Sequence, residues 1–245
     1  VLVVLALLVS GYLWGLPWAV ERLALALPTS LDESLGETMY AGMTPALSLD
    51  STRSGTLQRF GDHLNLATGF RLTYHVVDAD EVNAFALPGG HIVVYTGLLD
   101  RMDDPGQLVA LLAHEATHVQ QRHSTRAVVR ELSGAVFLAL VVGDAGGVAA
   151  AAAGQGDALR QLGYSRHLEA EADAVGMERM AANGVDPQGM VLLLRLLERE
   201  AQDMPEGLSF LSSHPLTTER IAAAAEKAKA LGHAPSPDAE LERWF

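Results

Sequence analysis

The chain has 245 residues, a formal charge of −13 and no cysteine. That length suffices for one catalytic domain with a membrane segment, and the acidic balance argues against nucleic acid, which is bound by basic stripes. Disulfides, thiolate-ligated zinc and thiol nucleophiles are excluded, so any zinc must be held by His and carboxylate.

Val1 to Val20 reads VLVVLALLVSGYLWGLPWAV. About 20 apolar residues are enough to cross a hydrocarbon core. Tyr12, Trp14 and Trp18 gather toward one end, as interfacial aromatics do. No small-x-small cleavage site directly follows the run, so an N-terminal membrane anchor over 1–27 is expected in place of a cleaved signal. Glu21 to Thr52 predicts a short helix and then a connecting stretch rich in Ser, Thr, Gly and Asp. The organisation expected is a connecting segment over 28–55, a domain over 56–233 and a tail over 234–245. Gly55 to Thr68 carries Leu57, Phe60, Leu64 and Ala67 at helical spacing, and Arg71 to Val77 alternates as a strand. Ala84 to Leu87 and His91 to Tyr95 are short apolar runs joined by Pro88-Gly89-Gly90, a hairpin signal. The fold class expected is α+β, mostly α, with a small antiparallel sheet leading into the next helix.

That helix, Gln107 to Gln120, has no Gly or Pro and is preceded by Asp103-Asp104-Pro105, a cap followed by Pro near the first turn. It contains His114-Glu115-Ala116-Thr117-His118. Two imidazoles four residues apart project from one helix face, the spacing needed to reach one zinc ion at roughly 2 Å each. Glu115 lies about 100° round the helix, beside the metal and off it, where it can take a proton from a water there.

Beyond His118 the helix continues or bends into Ser124 to Leu132. Gly134 to Gly154 is apolar, but Asp144 and the Gly143, Gly146, Gly147 cluster break it in the middle. This predicts a helical hairpin packed on the domain or dipping into the bilayer surface. Ser165 to Ala182 reads as a helix ended by Asn183-Gly184, Pro187 to Gln202 as a leucine-rich helix, and Thr217 to Leu231 as a helix with Thr218 placed to cap it.

Two His leave a catalytic zinc one protein ligand short. Glu169 and Asp173 are four apart and share a helix face, whereas Glu171 points nearly opposite. Glu169 is therefore the expected third ligand, and Asp173 can accept the free ring N–H of a ligating His. Glu171 is left to solvent or a surface pair. Ala170, Ala172 and Ala174 let this helix come close to the metal helix. His123 lies about 140° from His118 round the helix and reads as an ordinary helix-end His. In Leu211-Ser-Ser-His-Pro-Leu, Pro215 biases His214 toward an extended conformation, so a loop presents the imidazole.

Together these residues resemble the zinc metallopeptidase family that includes the CAAX prenyl endopeptidase, the membrane heat-shock protease and the bacterial periplasmic chaperone-proteases. The matching pieces are Asn83-Ala84-Phe85 with Pro88-Gly89-Gly90, His114 to His118 followed by Arg122-His123, Ser165-Arg166-x-x-Glu169-x-Glu171-Ala-Asp173, and His214-Pro215 with Glu219-Arg220. They stand in family order across about residues 56 to 231. The resemblance implies a gluzincin-type domain with one Zn2+, in which His114, His118 and Glu169 match the ligands and Glu115 the general base. It implies that His214 lies near the reaction centre and that Arg220 is a buried bracing arginine. Thr117 departs from the family pattern, which more often has an aliphatic or small apolar residue there.

The reaction expected is hydrolysis of internal peptide bonds in unfolded or membrane-associated proteins, in envelope quality control. The polypeptide substrate is expected to add as an edge strand near Asn83, Ala84 and Phe85. The catalytic domain is expected to be periplasmic, tethered through residues 1–20. His214 is either a donor to the oxyanion or a fourth ligand closing a latent site. In the second case the protein is a membrane-tethered chaperone or scaffold.

Overall fold

The structure, a computed structural model, describes residues 22, 25–131, 163–203 and 210–232. The expected membrane span over 1–20, the expected hairpin over 134–154 and the expected tail over 234–245 lie outside the described residues. Among the described residues no helix is long and apolar enough to cross a membrane.

In chain order the elements are α1 (Thr29–Met43), α2 (Ser51–His63), β1 (Thr73–Val77), β2 (Ala84–Ala86), β3 (His91–Tyr95), the short α3 (Thr96–Leu99), α4 (Pro105–Gln120), α5 (His123–Glu131), α6 (Arg166–Ala182), α7 (Gln188–Asp203), the short α8 (Phe210–Ser213) and α9 (Thr218–Leu231). The expected connecting segment thus carries a full helix and the first turn of another.

The three strands form one sheet in the order β1-β3-β2. The hairpin is as expected: β2 pairs antiparallel with β3, with Phe85 opposite Val93. The expectation of a wholly antiparallel sheet is corrected, because β1 pairs parallel with β3, Tyr74 opposite Ile92. The connection over 78–83 passes to the far side of β3, which makes β3 central and leaves β2 an edge. Position explains the composition of β3, HIVVY, in which four consecutive residues are buried. A strand covered on both faces reads as a continuous apolar run instead of an alternation. Ile92 and Val94 face the main core with Tyr74, Val76, Ala84 and Ala86, against α2, α4, α6 and α7. Val93 and Tyr95 face the other way with Phe85 and Leu87, beneath Leu35, Met39 and Met43 of α1.

Local chemistry sets the helix ends. Asp104 caps α4: its Oδ1 accepts from Gly106 N–H at 2.7 Å, while Gln107 Oε1 accepts from Asp104 N–H at 3.1 Å. This is a capping box with Pro105 in the first turn. Ser165 caps α6. Thr217 caps α9, and the expectation of Thr218 is corrected: Thr217 is the extended residue, at φ −133° and ψ 153°, whose hydroxyl can turn onto Arg220 N–H. Between α4 and α5, Arg122 adopts a left-handed backbone at φ 55°. Buried Asp32 of α1 grips its guanidinium at 2.6 and 3.1 Å, and Arg122 Nη1 donates to the carbonyls of Leu25 and Leu27. Thr125 donates to the same carboxylate. A bend that costs a non-glycine residue about 1–3 kcal/mol is thus held from three sides.

Candidate metal centre

The site lies where α4 and α6 cross. Gly176 makes the close approach possible: a Cβ there would lie 3.3 Å from the backbone nitrogen of His114. Of the three alanines expected to do this, Ala172 is buried whereas Ala170 is exposed. Thr117 finds a use that its departure from the family pattern did not suggest. Buried on α4, it donates to Ala113 O at 2.8 Å and accepts from Arg179 of α6 at 3.1 Å, tying the two helices together.

His114, His118, Glu169 and His214 converge, with one donor atom from each within 4.8 Å of all the others, and all four are buried. His114 Nε2 lies 3.0 Å from His118 Nε2 and 3.6 Å from Glu169 Oε2; His118 Nε2 lies 3.4 Å from Glu169 Oε1. His214 Nδ1 lies 3.3 Å from His114 Nε2 and 3.1 Å from Glu169 Oε1. Tetrahedral zinc with bonds of roughly 2.0–2.1 Å separates its ligand atoms by ~3.3 Å. The four-residue set fits that spacing and that donor preference. Two ring nitrogens facing each other at 3.0 Å also need a cation or a proton between them.

Glu115 is fully buried, and among the described residues neither carboxylate oxygen has a hydrogen-bond partner. Burial pushes its carboxyl pKa up. His214 Nε2 is its neighbour at 3.6 Å. Asp173 Oδ1 sits 3.0 Å from His114 Nδ1, as helix phase predicts. Arg220 donates to both Asp173 oxygens at 2.8 Å, lies 2.7 Å from Glu169 Oε2, and donates to Pro215 O at 3.0 Å. Burial favours neutral Asp173, but His114 and Arg220 outweigh it and hold its carboxyl below the usual range. Burial lowers the His118 pKa well below the ordinary value, whereas at His114 the neighbouring Asp173 and Glu169 outweigh burial and raise it.

The expected substrate residues separate. Asn83 O accepts from Tyr95 N–H and Leu87 N–H donates to His91 O, so alternate residues of β2 turn their main chain to β3. Phe85 shares that phase, and its ring packs on Tyr95 with centroids 6.4 Å apart. Ala84 and Ala86 turn theirs outward, to the side where Ser124 of α5 donates to Ala86 O at 2.8 Å. Asn83 is buried and its amide donates to Glu81.

Three residues not assigned to the site from the sequence also border it. His123 is fully buried and its Nδ1 lies 3.0 Å from His118 Nδ1, which corrects its reading as an ordinary helix-end His. Tyr164 stacks on His118 at a centroid distance of 4.0 Å, and its hydroxyl meets Ser124 Oγ at 2.9 Å. Glu171 reaches His123 Nε2 at 3.4 Å, so its partner is a buried ring and not another surface group. The Arg122-His123 pair stood in the sequence; the left-handed turn that folds it back did not.

A buried two-His, one-carboxylate set with a free carboxylate beside it defines the metallopeptidase class, with zinc as the metal. The model of peptidase family M48 matches residues 51–228, and the chain belongs to that family. It is 31% identical over 165 residues to the beta-barrel assembly-enhancing protease of Escherichia coli K12, covering 63% of this chain and 34% of that protein. It is 35% identical over 149 residues to the mitochondrial metalloendopeptidase OMA1 of Schizosaccharomyces pombe, covering 60% and 44%. Against the metalloprotease LoiP of Escherichia coli it is 29% identical over 186 residues, 74% of this chain and 71% of that one. The chain spans about a third of the length of the first of these relatives.

Proposed function

We propose that this protein is a zinc-dependent endopeptidase that cleaves unfolded or membrane-associated polypeptides in envelope protein quality control. The observation that carries the reading is the unpartnered Glu115 carboxylate, buried beside the His114, His118 and Glu169 donors. Those three residues would hold a zinc ion, which would supply Lewis acidity at the scissile carbonyl. Glu115, beside that set, is placed to accept a proton from the attacking water and pass it to the leaving amine. Asp173 holds His114 by its Nδ1–H, and Arg220 fixes Asp173 and Glu169 together. Ala86 O is held by Ser124, so the outward main chain of Ala84 is what β2 offers to a substrate strand, which makes recognition largely main-chain and suits unfolded clients. An envelope role is supported by the relative named for enhancing beta-barrel assembly, and a membrane tether by the apolar run over 1–20.

A second reading of His214 has its own observation. Its Nδ1 stands within the donor set instead of beyond it, 3.3 Å from His114 Nε2. His214 is then a fourth ligand in a closed site, and the loop must withdraw before substrate enters.

The test is proteolysis of an unfolded protein by wild type and Glu115→Gln, with zinc content measured in parallel. Glu115→Gln keeps its zinc and loses activity by about 10²-fold or more. Normal turnover by the zinc-loaded variant would sink the mechanism.

A further inference from the structure

His118 offers Nε2 to the donor set and turns Nδ1 away from it. That Nδ1 lies 3.0 Å from His123 Nδ1, and the far nitrogen of His123 lies 3.4 Å from Glu171 Oε2. Tyr164 covers a face of the His118 ring. We infer that His123 and Glu171 are positioning residues for His118, setting its tautomer and ring orientation through an interposed imidazole. The inference rests on the reading of His118 as a metal ligand.

The proton count leaves one arrangement. Two ring nitrogens at 3.0 Å require one proton between them, since two lone pairs facing each other repel. Metal ligation takes the lone pair of His118 Nε2, so the ring proton of His118 is on Nδ1 and is donated to a bare His123 Nδ1. The proton of neutral His123 is then on Nε2, 3.4 Å from Glu171 Oε2, a charge contact without hydrogen-bond geometry. His114 is held by Asp173 directly; His118 is held by a carboxylate acting through a second ring. Helix phase alone would carry His123 about 140° away from His118. The left-handed Arg122, gripped by Asp32, breaks that phase and returns the ring.

The test measures zinc affinity by chelator competition, together with the visible absorption of the cobalt-substituted protein and the melting temperature of the metal-free protein. His123→Leu weakens zinc binding about 10–100-fold and shifts the cobalt bands. His123→Asn, whose amide oxygen can accept from His118 Nδ1, recovers most of the affinity. Glu171→Ala weakens binding toward the lower end of that range, and Glu171→Gln does so less. A merely structural role would lower the metal-free melting temperature in His123→Leu and His123→Asn alike and leave affinity unchanged; that result overturns the inference. If His123→Leu does not fold, the partly exposed Glu171 decides through Glu171→Ala and Glu171→Gln, and wild-type affinity in both overturns the inference. Wild type that binds no zinc, or His118→Ala that binds it normally, refutes the ligand reading itself. Loss in His118→Ala with none in His123→Leu refutes this inference alone.

Discussion

Removing the Arg220 guanidinium tests how the site is held together. Its side chain is 4% exposed and makes four polar contacts of 2.7–3.0 Å, two to Asp173, one to Glu169 and one to Pro215 O. In Arg220→Ala two buried carboxylates lose their cation. Breaking a buried ion pair from one side costs about 3–5 kcal/mol, because the charge left behind is neither solvated nor matched. Asp173 keeps His114 Nδ1 at 3.0 Å and Glu169 keeps His214 Nδ1 at 3.1 Å, so the loss stays inside that range. Arg220→Lys retains a charge but not the planar fork that bridges two carboxylates, and should lose about 1.5–3 kcal/mol. A domain of ordinary stability has about 5–15 kcal/mol to lose, so Arg220→Ala remains measurable. Urea unfolding in excess chelator reads the difference as a shift in midpoint at unchanged slope. Metal-free Arg220→Ala within about 0.5 kcal/mol of wild type would refute the bracing argument.

Three other outcomes are expected. At matched zinc occupancy, His214→Ala raises peptidase activity if the ring is a fourth ligand and lowers kcat about 10²–10³-fold if it is an oxyanion donor; the closed spacing favours the rise, and no change at all removes His214 from the site. Asp32→Ala leaves the Arg122 guanidinium uncompensated and costs about 3–5 kcal/mol in urea unfolding, although residue 32 precedes the family match at 51–228; a neutral result would detach α1 from the domain. Burial, with the facing His91, lowers the His75 pKa to about 4, against an opposing pull from Glu37. The unfolded chain therefore takes up that proton first, and stability is lost as pH falls from about 6.5 toward 4. His75→Gln should flatten that part of the stability–pH curve, and parallel curves for both proteins would refute the assignment.

Where a contact depends on helix phase, the sequence was sufficient. His114 and His118, then Glu169 and Asp173, stand four apart, and each pair shares a face as the 3.6-residue period requires. The hairpin was legible because Pro88-Gly89-Gly90 needs a left-handed glycine, and Gly89 has φ 75°. What could not be read had no local signal. Nothing in TYHVV says that its partner is β3 and not β2, since parallel pairing is decided by a crossover. Nothing in Gln-Arg-His marks Arg122 as left-handed; that conformation is imposed by Asp32, 90 residues earlier. Helix phase continued through Gln121 and Arg122 gave the wrong place for His123, because the helix stops at Gln120. For Glu171 the phase was right and the expected partner wrong, since the ring it reaches arrives from α5.

The four converging side chains do not come from equally rigid parts. Three stand on α4 and α6, whose crossing is locked by Gly176 and by the Thr117–Arg179 hydrogen bond. The fourth, His214, stands just past α8, on a segment tied to the rest by Tyr164 N–H to Ser213 O at 2.9 Å, by Phe210 N–H to Val82 O at 3.3 Å and by the Arg220 bond to Pro215 O. Withdrawing the His214 ring gives up its 3.1 Å contact with Glu169 Oε1 and its 3.3 Å approach to His114 Nε2, and leaves the Asp173–His114 and Arg220–Glu169 pairs in place. On the fourth-ligand reading of His214, the three-residue metal set and its closure are mechanically separable. A change at His214 is then expected to alter activity at constant zinc content, whereas a change at Arg220, which touches both parts, or at Asp173, which holds Arg220, is expected to alter both.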